Sequence, residues 1–194
     1  MSVKILGGVA RGYPLATPKS DLTKPTSIMI RRKLFDWRQN LEGHIFIDLF
    51  AGSGSMGLEA LSRGATKVYL NDSQKIAFLT LKQNTEKFMK AFKLDPSTAQ
   101  VSGLDAIKWV KKELPYQLSE AAEHVIIYLD PPYEDHALYM DVLNELRELK
   151  FDGEIWLESD RLVGPKLQVL TQAFSSVTKT IEQGDHFVLV GKLL

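Results

Sequence analysis

The chain has 194 residues, 44% of them hydrophobic and 25% charged, with 24 basic and 24 acidic side chains and no cysteine. That length builds one well-cored domain and not two of typical size, and the composition excludes a disordered or collagen-like chain. Without cysteine there is no disulfide, thiolate zinc site or cysteine nucleophile. No apolar run reaches the length of a membrane span, and the first residues lack the apolar stretch of a secretory signal, so a cytoplasmic protein is expected.

The zero net charge is unevenly spread. Residues 1–40 hold eight basic and two acidic side chains, a net of +6, leaving 16 basic and 22 acidic ones, a net of −6, on the other 154. A basic arm on an acidic body suggests that the arm meets a polyanion, although a solvated surface has the same composition. Residues 1–43 read as an extension to the main domain. Gly7-Gly8 and Arg11-Gly12 punctuate a small hairpin, Thr17-Pro18 and Lys24-Pro25 break the chain, and a helix starts near Thr26 and runs through residues 28–38.

From His44 onward, strand-like and helix-like segments alternate over residues 44–194. Residues 44–50 form an apolar strand ending in a glycine cluster, and a helix over 55–64 follows, with Gly64 as its C-cap. A strand over 66–72 precedes a long helix over 73–92, with Ser73 as a possible N-cap. A third strand at Ala99–Ser102 leads to a helix over Asp105–Glu113. Residues 124–130 are the clearest buried strand, residues 138–149 an amphipathic helix, and residues 154–159 another strand. The chain closes on a hairpin turning at Gly184-Asp185. Repeated strand–helix units predict an α/β fold, a mainly parallel sheet with helices on both faces.

Two motifs carry chemistry. Asp48-Leu-Phe50-Ala-Gly52-Ser-Gly54-Ser-Met-Gly57 spans the end of the first core strand and the start of its helix, and its glycines match G-x-G-x-x-G. Such glycines let the backbone approach a ligand, and Asp72, twenty residues after Gly52, stands where a carboxylate can hold ribose hydroxyls. A nucleoside-containing cofactor follows, and the glycines alone do not say which. The second motif, Asp130-Pro131-Pro132-Tyr133, ends the strand over 124–130, at the sheet edge where ligands bind. Its prolines remove two N–H donors and leave carbonyl acceptors, Asp130 adds a carboxylate, and Tyr133 an aromatic face. Acceptors beside a stacking platform suit a planar base with an exocyclic amine.

Asp-Pro-Pro-Tyr resembles the signature of S-adenosylmethionine-dependent methyltransferases that modify exocyclic amino nitrogens, and Asp-Leu-Phe-Ala-Gly-Ser-Gly looks like their cofactor loop. Ile5-Leu6-Gly7-Gly8, Arg11-Gly12, Pro18, Pro25-Thr26-Ser27, Leu34-Phe35, residues 57–65 and Asn84 are similar to the pattern of one family, RsmD, which methylates the N2 amine of a guanine in small-subunit (16S) ribosomal RNA. The resemblance runs from Lys4 to the terminal hairpin. It implies a Rossmann-like, mostly parallel seven-stranded sheet with a C-terminal antiparallel hairpin and an N-terminal β-hairpin and helix. It implies S-adenosylmethionine held by Asp48, Phe50, Gly52, Gly54, Gly57, Asp72, Asp105 and Thr26, with Asp72 on the ribose and Asp105 near the adenine. It further implies catalysis by Asp130, Pro131 and Tyr133, and RNA contacts from Arg11, Lys24 and Arg31. A monomer acting on a small-subunit particle, without a metal, completes the expectation. One departure stands out: Ile28-Met29-Ile30-Arg31-Arg32 replaces the family's more acidic continuation after Pro-Thr-Ser.

Other readings fit part of this pattern. A DNA or RNA adenine-N6 methyltransferase also uses Asp-Pro-Pro-Tyr, but DNA enzymes generally need a separate target-recognition region. A nicotinamide-dependent dehydrogenase explains the glycines and Asp72 and leaves Asp48 and residues 130–133 without a role. A non-catalytic RNA-binding protein explains only the basic arm. His44, His124 and His186 lack metal-ligand spacing, His136 reads as a surface-loop residue, Trp37, Trp109 and Trp156 read as core, and Glu59 is either a helix-surface charge or a loop anchor.

Overall fold

A computed structural model describes residues 2–18, 28–120 and 124–193. The described elements, in chain order, are β1 (Ser2–Lys4), β2 (Pro14–Ala16), α1 (Ile28–Trp37), β3 (His44–Asp48), α2 (Ser55–Ser62), β4 (Lys67–Asn71), α3 (Lys75–Phe92), β5 (Ala99–Ser102), α4 (Ala106–Lys112), α5 (Leu114–Glu120), β6 (His124–Leu129), α6 (His136–Glu148), β7 (Glu154–Asp160), α7 (Leu167–Gln172), β8 (Ser176–Gln183) and β9 (His186–Lys192). A single 3₁₀ turn, Pro96–Thr98, precedes β5.

Alternation along the strands sorts the core into two layers, because successive side chains of a strand point to opposite faces. Phe46, Ile126, Tyr128, Trp156, Val188 and Val190 meet α1, α2, α3 and the β1–β2 hairpin on one face. Ile45, Ile47, Val125, Ile127, Leu157 and Leu189 meet α4, α6 and α7 on the other. The sheet order is β5-β4-β3-β6-β7-β9-β8. The first five strands are parallel, and β9 runs antiparallel between β7 and β8. This is the expected seven-stranded α/β sheet, and both strands of the C-terminal hairpin belong to it.

The N-terminal hairpin is fastened to α2. Val9 N–H donates to the Ser62 carbonyl at 2.9 Å, Ala10 N–H to Ser62 Oγ at 2.9 Å, and Ser62 Oγ–H to the Gly7 carbonyl at 2.7 Å. Glu59, wholly buried, is the anchor beneath it: Oε2 accepts from Leu6 N–H at 2.6 Å and Oε1 from Arg63 Nε at 2.8 Å. The helix surface is therefore not where this charge lies.

Several local expectations are corrected. Ser73 does not cap α3; the N-cap is Gln74, whose backbone N–H donates to Asp72 Oδ1 at 2.9 Å, so the helix starts one residue later, on a turn held by the site carboxylate. Arg63 is the C-cap of α2 and Gly64 follows it. Trp109 and Trp156 are core, whereas Trp37 is 38% exposed. The expected helix start near Thr26 lies outside the described residues, as do Lys24 and Thr26 themselves; the described part of the helix begins at Ile28. No helix of the described residues is long and apolar enough to cross a membrane.

Candidate active site

The chain winds outward from β3 through β4 to β5, then returns to lay β6 on the other side of β3. The winding thus reverses between β3 and β6, and the crevice at such a reversal, outside the carboxyl ends of the strands, is where open α/β sheets take ligands. The loops that leave β3 and β6 carry the two motifs. Asp48 is opposite Tyr128 in the parallel register, and Leu49 N–H donates to the Tyr128 carbonyl at 3.2 Å. Asp130 therefore leaves the sheet beside Asp48, and its charge is one of the causes that raise the Asp48 pKa. The glycine turn and the Asp-Pro-Pro-Tyr loop share one edge and one crevice.

Within the glycine turn, Gly52 and Gly54 take φ of 54° and 82°, the left-handed region where a side chain is strained. A Cβ on Gly52 would meet nothing within 4 Å, so that face of the turn opens into free space. Gly57 serves packing instead. A Cβ there would lie 2.1 Å from Leu70 Cδ2, and its absence lets α2 press against β4. Two buried asparagines fix the surrounding loops. Asn84 Nδ2 donates to the Ser53 and Ala16 carbonyls, both at 2.8 Å, and Oδ1 accepts from Ala16 N–H at 3.0 Å, tying glycine turn and hairpin to α3. Asn71 Nδ2 donates to the carbonyls of Leu49 and Leu104 at 3.2 and 2.8 Å, clamping the loops that follow β3 and β5.

Carboxylates gather in this crevice. Neither oxygen of Asp48 has a hydrogen-bond partner, although both are buried. Burial above all, then the charges of Asp130 and Asp72, raise its pKa well above the usual carboxylate range; the nearby amides of Gly57 and Phe50 offset part of this without reaching hydrogen-bonding geometry. Asp72 accepts Gly52 N–H through Oδ2 at 2.8 Å and Gln74 N–H through Oδ1, and burial still raises its pKa. Each of its oxygens keeps a lone pair for a hydroxyl. Glu158, on β7 and completely buried, is also raised by desolvation and by Asp130, while accepting from the hydroxyls of Tyr128 and Tyr133.

Around Asp130, the single Tyr139 hydroxyl proton is shared between the Glu158 carbonyl at 3.2 Å and the Pro131 carbonyl at 3.4 Å, and the Tyr133 hydroxyl donates to Glu158 Oε1 at 3.2 Å. Burial, followed by the charges of Asp130 and Glu158, pushes the Tyr133 hydroxyl pKa upward, so it stays a neutral phenol. Phe50 is half-buried beside this layer. Asp105 is exposed after β5 and caps α4 by accepting Lys108 N–H at 3.1 Å. Arg11 is exposed on the hairpin turn.

Arg31 is a correction. Expected at the RNA surface, it is 1% exposed and runs beneath the hairpin, donating from Nη2 to the Lys4 carbonyl at 2.7 Å and from Nη1 to the Ser55 carbonyl at 3.3 Å. Desolvation, the largest cause, lowers its pKa. It is an internal strut between α1, β1 and α2 and cannot reach a phosphate. His136 is exposed, as expected, but it is the first residue of α6 and not a loop residue; its Nε2 lies 2.8 Å from the Val163 carbonyl. Sequence reasoning missed Glu158 and His186. A glutamate within the buried strand over 154–159 was a usable signal for the first; nothing in the sequence marked His186. Among the described residues, no group of three or more His, Asp or Glu is arranged to hold a metal ion.

A family model described as conserved hypothetical protein 95 matches residues 3–189. The chain belongs to that family. Among curated relatives, the putative rRNA methyltransferase YlbH of Bacillus subtilis is 32% identical over 168 residues, 83% of this chain and 84% of that protein. The ribosomal RNA small subunit methyltransferase D of Escherichia coli K12 is 29% identical over 162 residues, 81% of this chain and 75% of its own. This is the RsmD family that the motifs resemble. The solved structure titled putative methyltransferase yhhF from Escherichia coli superposes over the whole of both chains, with a TM-score of 0.72 and 24% identity. A Thermus thermophilus 16S rRNA N2 G1207 methyltransferase (RsmC), solved with AdoMet and guanosine, aligns with all of this chain and 50% of its own, with a TM-score of 0.67 and 17% identity. Family match and superpositions together establish an RsmD member on the methyltransferase fold.

Proposed function

We propose that this RsmD-family protein transfers a methyl group from S-adenosylmethionine to the exocyclic N2 amine of a guanine in 16S ribosomal RNA. The observation that carries the reading is the shared crevice: an unpartnered carboxylate and an open glycine turn after β3, beside Asp-Pro-Pro-Tyr after β6. The curated relatives named as small-subunit ribosomal RNA methyltransferases support the substrate class, and a dehydrogenase reading would leave Asp48 and residues 130–133 unused.

The residues fit the cofactor. Asp48 is a buried carboxyl group lacking a partner, and a ligand carrying ammonium and sulfonium charges supplies one and favours its ionised form. Asp72 has lone pairs for the ribose hydroxyls, and the open face of Gly52 admits the ligand against the backbone. The same reading assigns Asp105, Thr26 and Phe50 to cofactor binding. Bound there, S-adenosylmethionine supplies an electrophilic methyl group.

A guanine amine is a weak nucleophile because its lone pair is delocalised into the ring. Asp130 and the Pro131 carbonyl accept its two hydrogens and turn the lone pair toward the methyl; the Tyr139 contact occupies only one of the two acceptor sites on that carbonyl. Alignment of two bound groups, with charge held where it develops, is the main catalytic contribution. Asp130 or water takes the amine proton as the new N–C bond forms, and the S–C bond cleaved in the same step leaves the neutral thioether S-adenosylhomocysteine. The target base leaves its stack and lies against Tyr133, which favours an unpaired nucleotide.

We extend the reading to a monomer in the cytoplasm, with residues 1–43 forming an RNA-contacting extension to a methyltransferase domain over 44–194. A net charge of zero is low for a binder of free RNA, which favours a small-subunit particle as substrate. Mass spectrometry of small-subunit RNA after incubation with the protein and labelled S-adenosylmethionine tests this directly. Asp130→Ala should cut methylation by at least roughly 100-fold while calorimetry finds cofactor affinity within a few-fold. An active Asp130→Ala enzyme removes Asp130 from the mechanism, and calorimetry without cofactor binding removes the whole reading.

A further inference from the structure

Tyr133 is held by two strands that its own loop does not belong to. Its hydroxyl donates to Glu158 Oε1 on β7 and lies 3.2 Å from His186 Nδ1, the first residue of β9. The two rings pack with centroids 5.6 Å apart and planes inclined by 58°. His186 is paired across the sheet with Asp160, and its Nε2 lies 3.9 Å from Asp160 Oδ2. The imidazole is about one-third exposed, at 32%, whereas the Glu158 side chain is 1% exposed.

A phenol has one proton. With that proton donated to Glu158, the Tyr133 oxygen can only accept, so the hydrogen of the second bond must come from His186 Nδ1. The three groups form a directed chain from His186 through Tyr133 to Glu158, and Glu158 is itself held by the Tyr128 hydroxyl. A tyrosine has two side-chain torsions. A ring on a loop at the crevice mouth would populate more than one rotamer, and a phenol anchored to two different strands is restricted to one.

We infer that His186 is a positioning residue for methyl transfer: through the Tyr133 hydroxyl it fixes the plane of the ring on which the target base lies. The inference rests on the methyltransferase reading above. It ties the C-terminal hairpin to the active site, a role for β9 that the cofactor half of the crevice does not require. A base that lies on a wandering ring still binds through its phosphates, but it presents its amine at the wrong angle, and misalignment of about 1 Å is costly.

Steady-state methylation of small-subunit particles by wild type, His186→Ala, Tyr133→Phe and the double variant tests it. Loss of one hydrogen bond corresponds to roughly a 3- to 10-fold effect. Each single variant should lower kcat by that factor with the KM for S-adenosylmethionine unchanged, and His186→Ala should cost less than twofold more in the Tyr133→Phe background. His186→Asn, whose amide N–H can replace Nδ1–H, should recover most of kcat, and it keeps the test decisive if the alanine variant folds poorly. Equal losses from His186→Ala with and without the Tyr133 hydroxyl overturn the inference, as does an unchanged kcat in His186→Ala. Wild-type protein that binds no S-adenosylmethionine and methylates nothing overturns the underlying reading, and this inference with it; normal wild-type turnover with silent variants overturns this inference alone.

Discussion

Asp48 lies at the end of β3 with both carboxylate oxygens buried and unpartnered, and its pKa is held well above the usual value by burial and by Asp130 and Asp72. The folded chain therefore binds this proton more tightly than the unfolded chain does. The stabilisation is complete below the ordinary value of 3.8 and is lost as pH rises through the raised folded value. At neutral pH, keeping this carboxyl group buried and away from the water that solvates its ionised form in the unfolded chain is a cost that the ligand-free protein carries for its site. Asp48→Asn removes that cost while keeping the shape. It should stabilise the ligand-free protein by about 1–3 kcal/mol at pH 7–8, which is roughly 2–4 °C in melting temperature per kcal/mol in a chain of this size. The gain should shrink toward zero as pH falls below about 3, where aspartate is protonated in both states, and S-adenosylmethionine affinity should fall at least tenfold. Calorimetric melting across pH, with titration of the cofactor, measures both; an Asn variant that melts lower at pH 8 than wild type contradicts the account. Asp48, Asp72 and Asp130 were legible in the sequence because each directly follows or ends an apolar strand. Arg31 was misread because charge pattern alone does not distinguish an arginine on the surface from one folded beneath a hairpin.

The hairpin and α2 depend on one another through Glu59, and that dependence is the element-scale claim most open to test. Glu59→Ala leaves the Arg63 guanidinium, at 9% side-chain exposure, and the Leu6 amide without their shared acceptor. Breaking a buried pair by removing one partner costs about 3–5 kcal/mol, so melting should fall by roughly 6–20 °C. Limited proteolysis should then cut first within residues 2–18. Cleavage that begins instead at the C-terminal hairpin would place the weak point elsewhere. The long elements were readable for a physical reason: β3 and β6 are uninterrupted apolar runs, and the 18 residues of α3 give the helical period several turns to repeat. The short α5 and α7, with seven and six residues, were not: fewer than two turns barely display a period, and neither is preceded by a capping residue such as the Asp105 that marks the equally short α4. His186 was hidden for a related reason. Its contact with Tyr133 exists only once β9 inserts beside β7, and antiparallel insertion is a property of the sheet, with no local signature.

On the scale of the molecule, the strand alternation in the sequence implied a parallel sheet, yet strand order is what turns two separate loops into one crevice. Carboxylates converge at the switch between β3 and β6, while in the sequence the first 40 residues carry the net of +6. The proposed function assigns the cationic cofactor to the first and the anionic RNA to the second. Filter binding of small-subunit RNA over a salt series should give a falling line in log K against log salt, with a slope of about −0.7 to −0.9 per phosphate contacted. Arg11→Gln, at an exposed position, should make that slope shallower by about one contact. Arg31→Gln should leave the slope alone and lower the melting temperature, because Arg31 bonds the Lys4 and Ser55 carbonyls inside the fold. The two arginines separate recognition from architecture. A slope near zero for the wild type would mean that RNA is held by shape and partner proteins without the arm, and a shallower slope for Arg31→Gln would mean that the strut opens to meet phosphate.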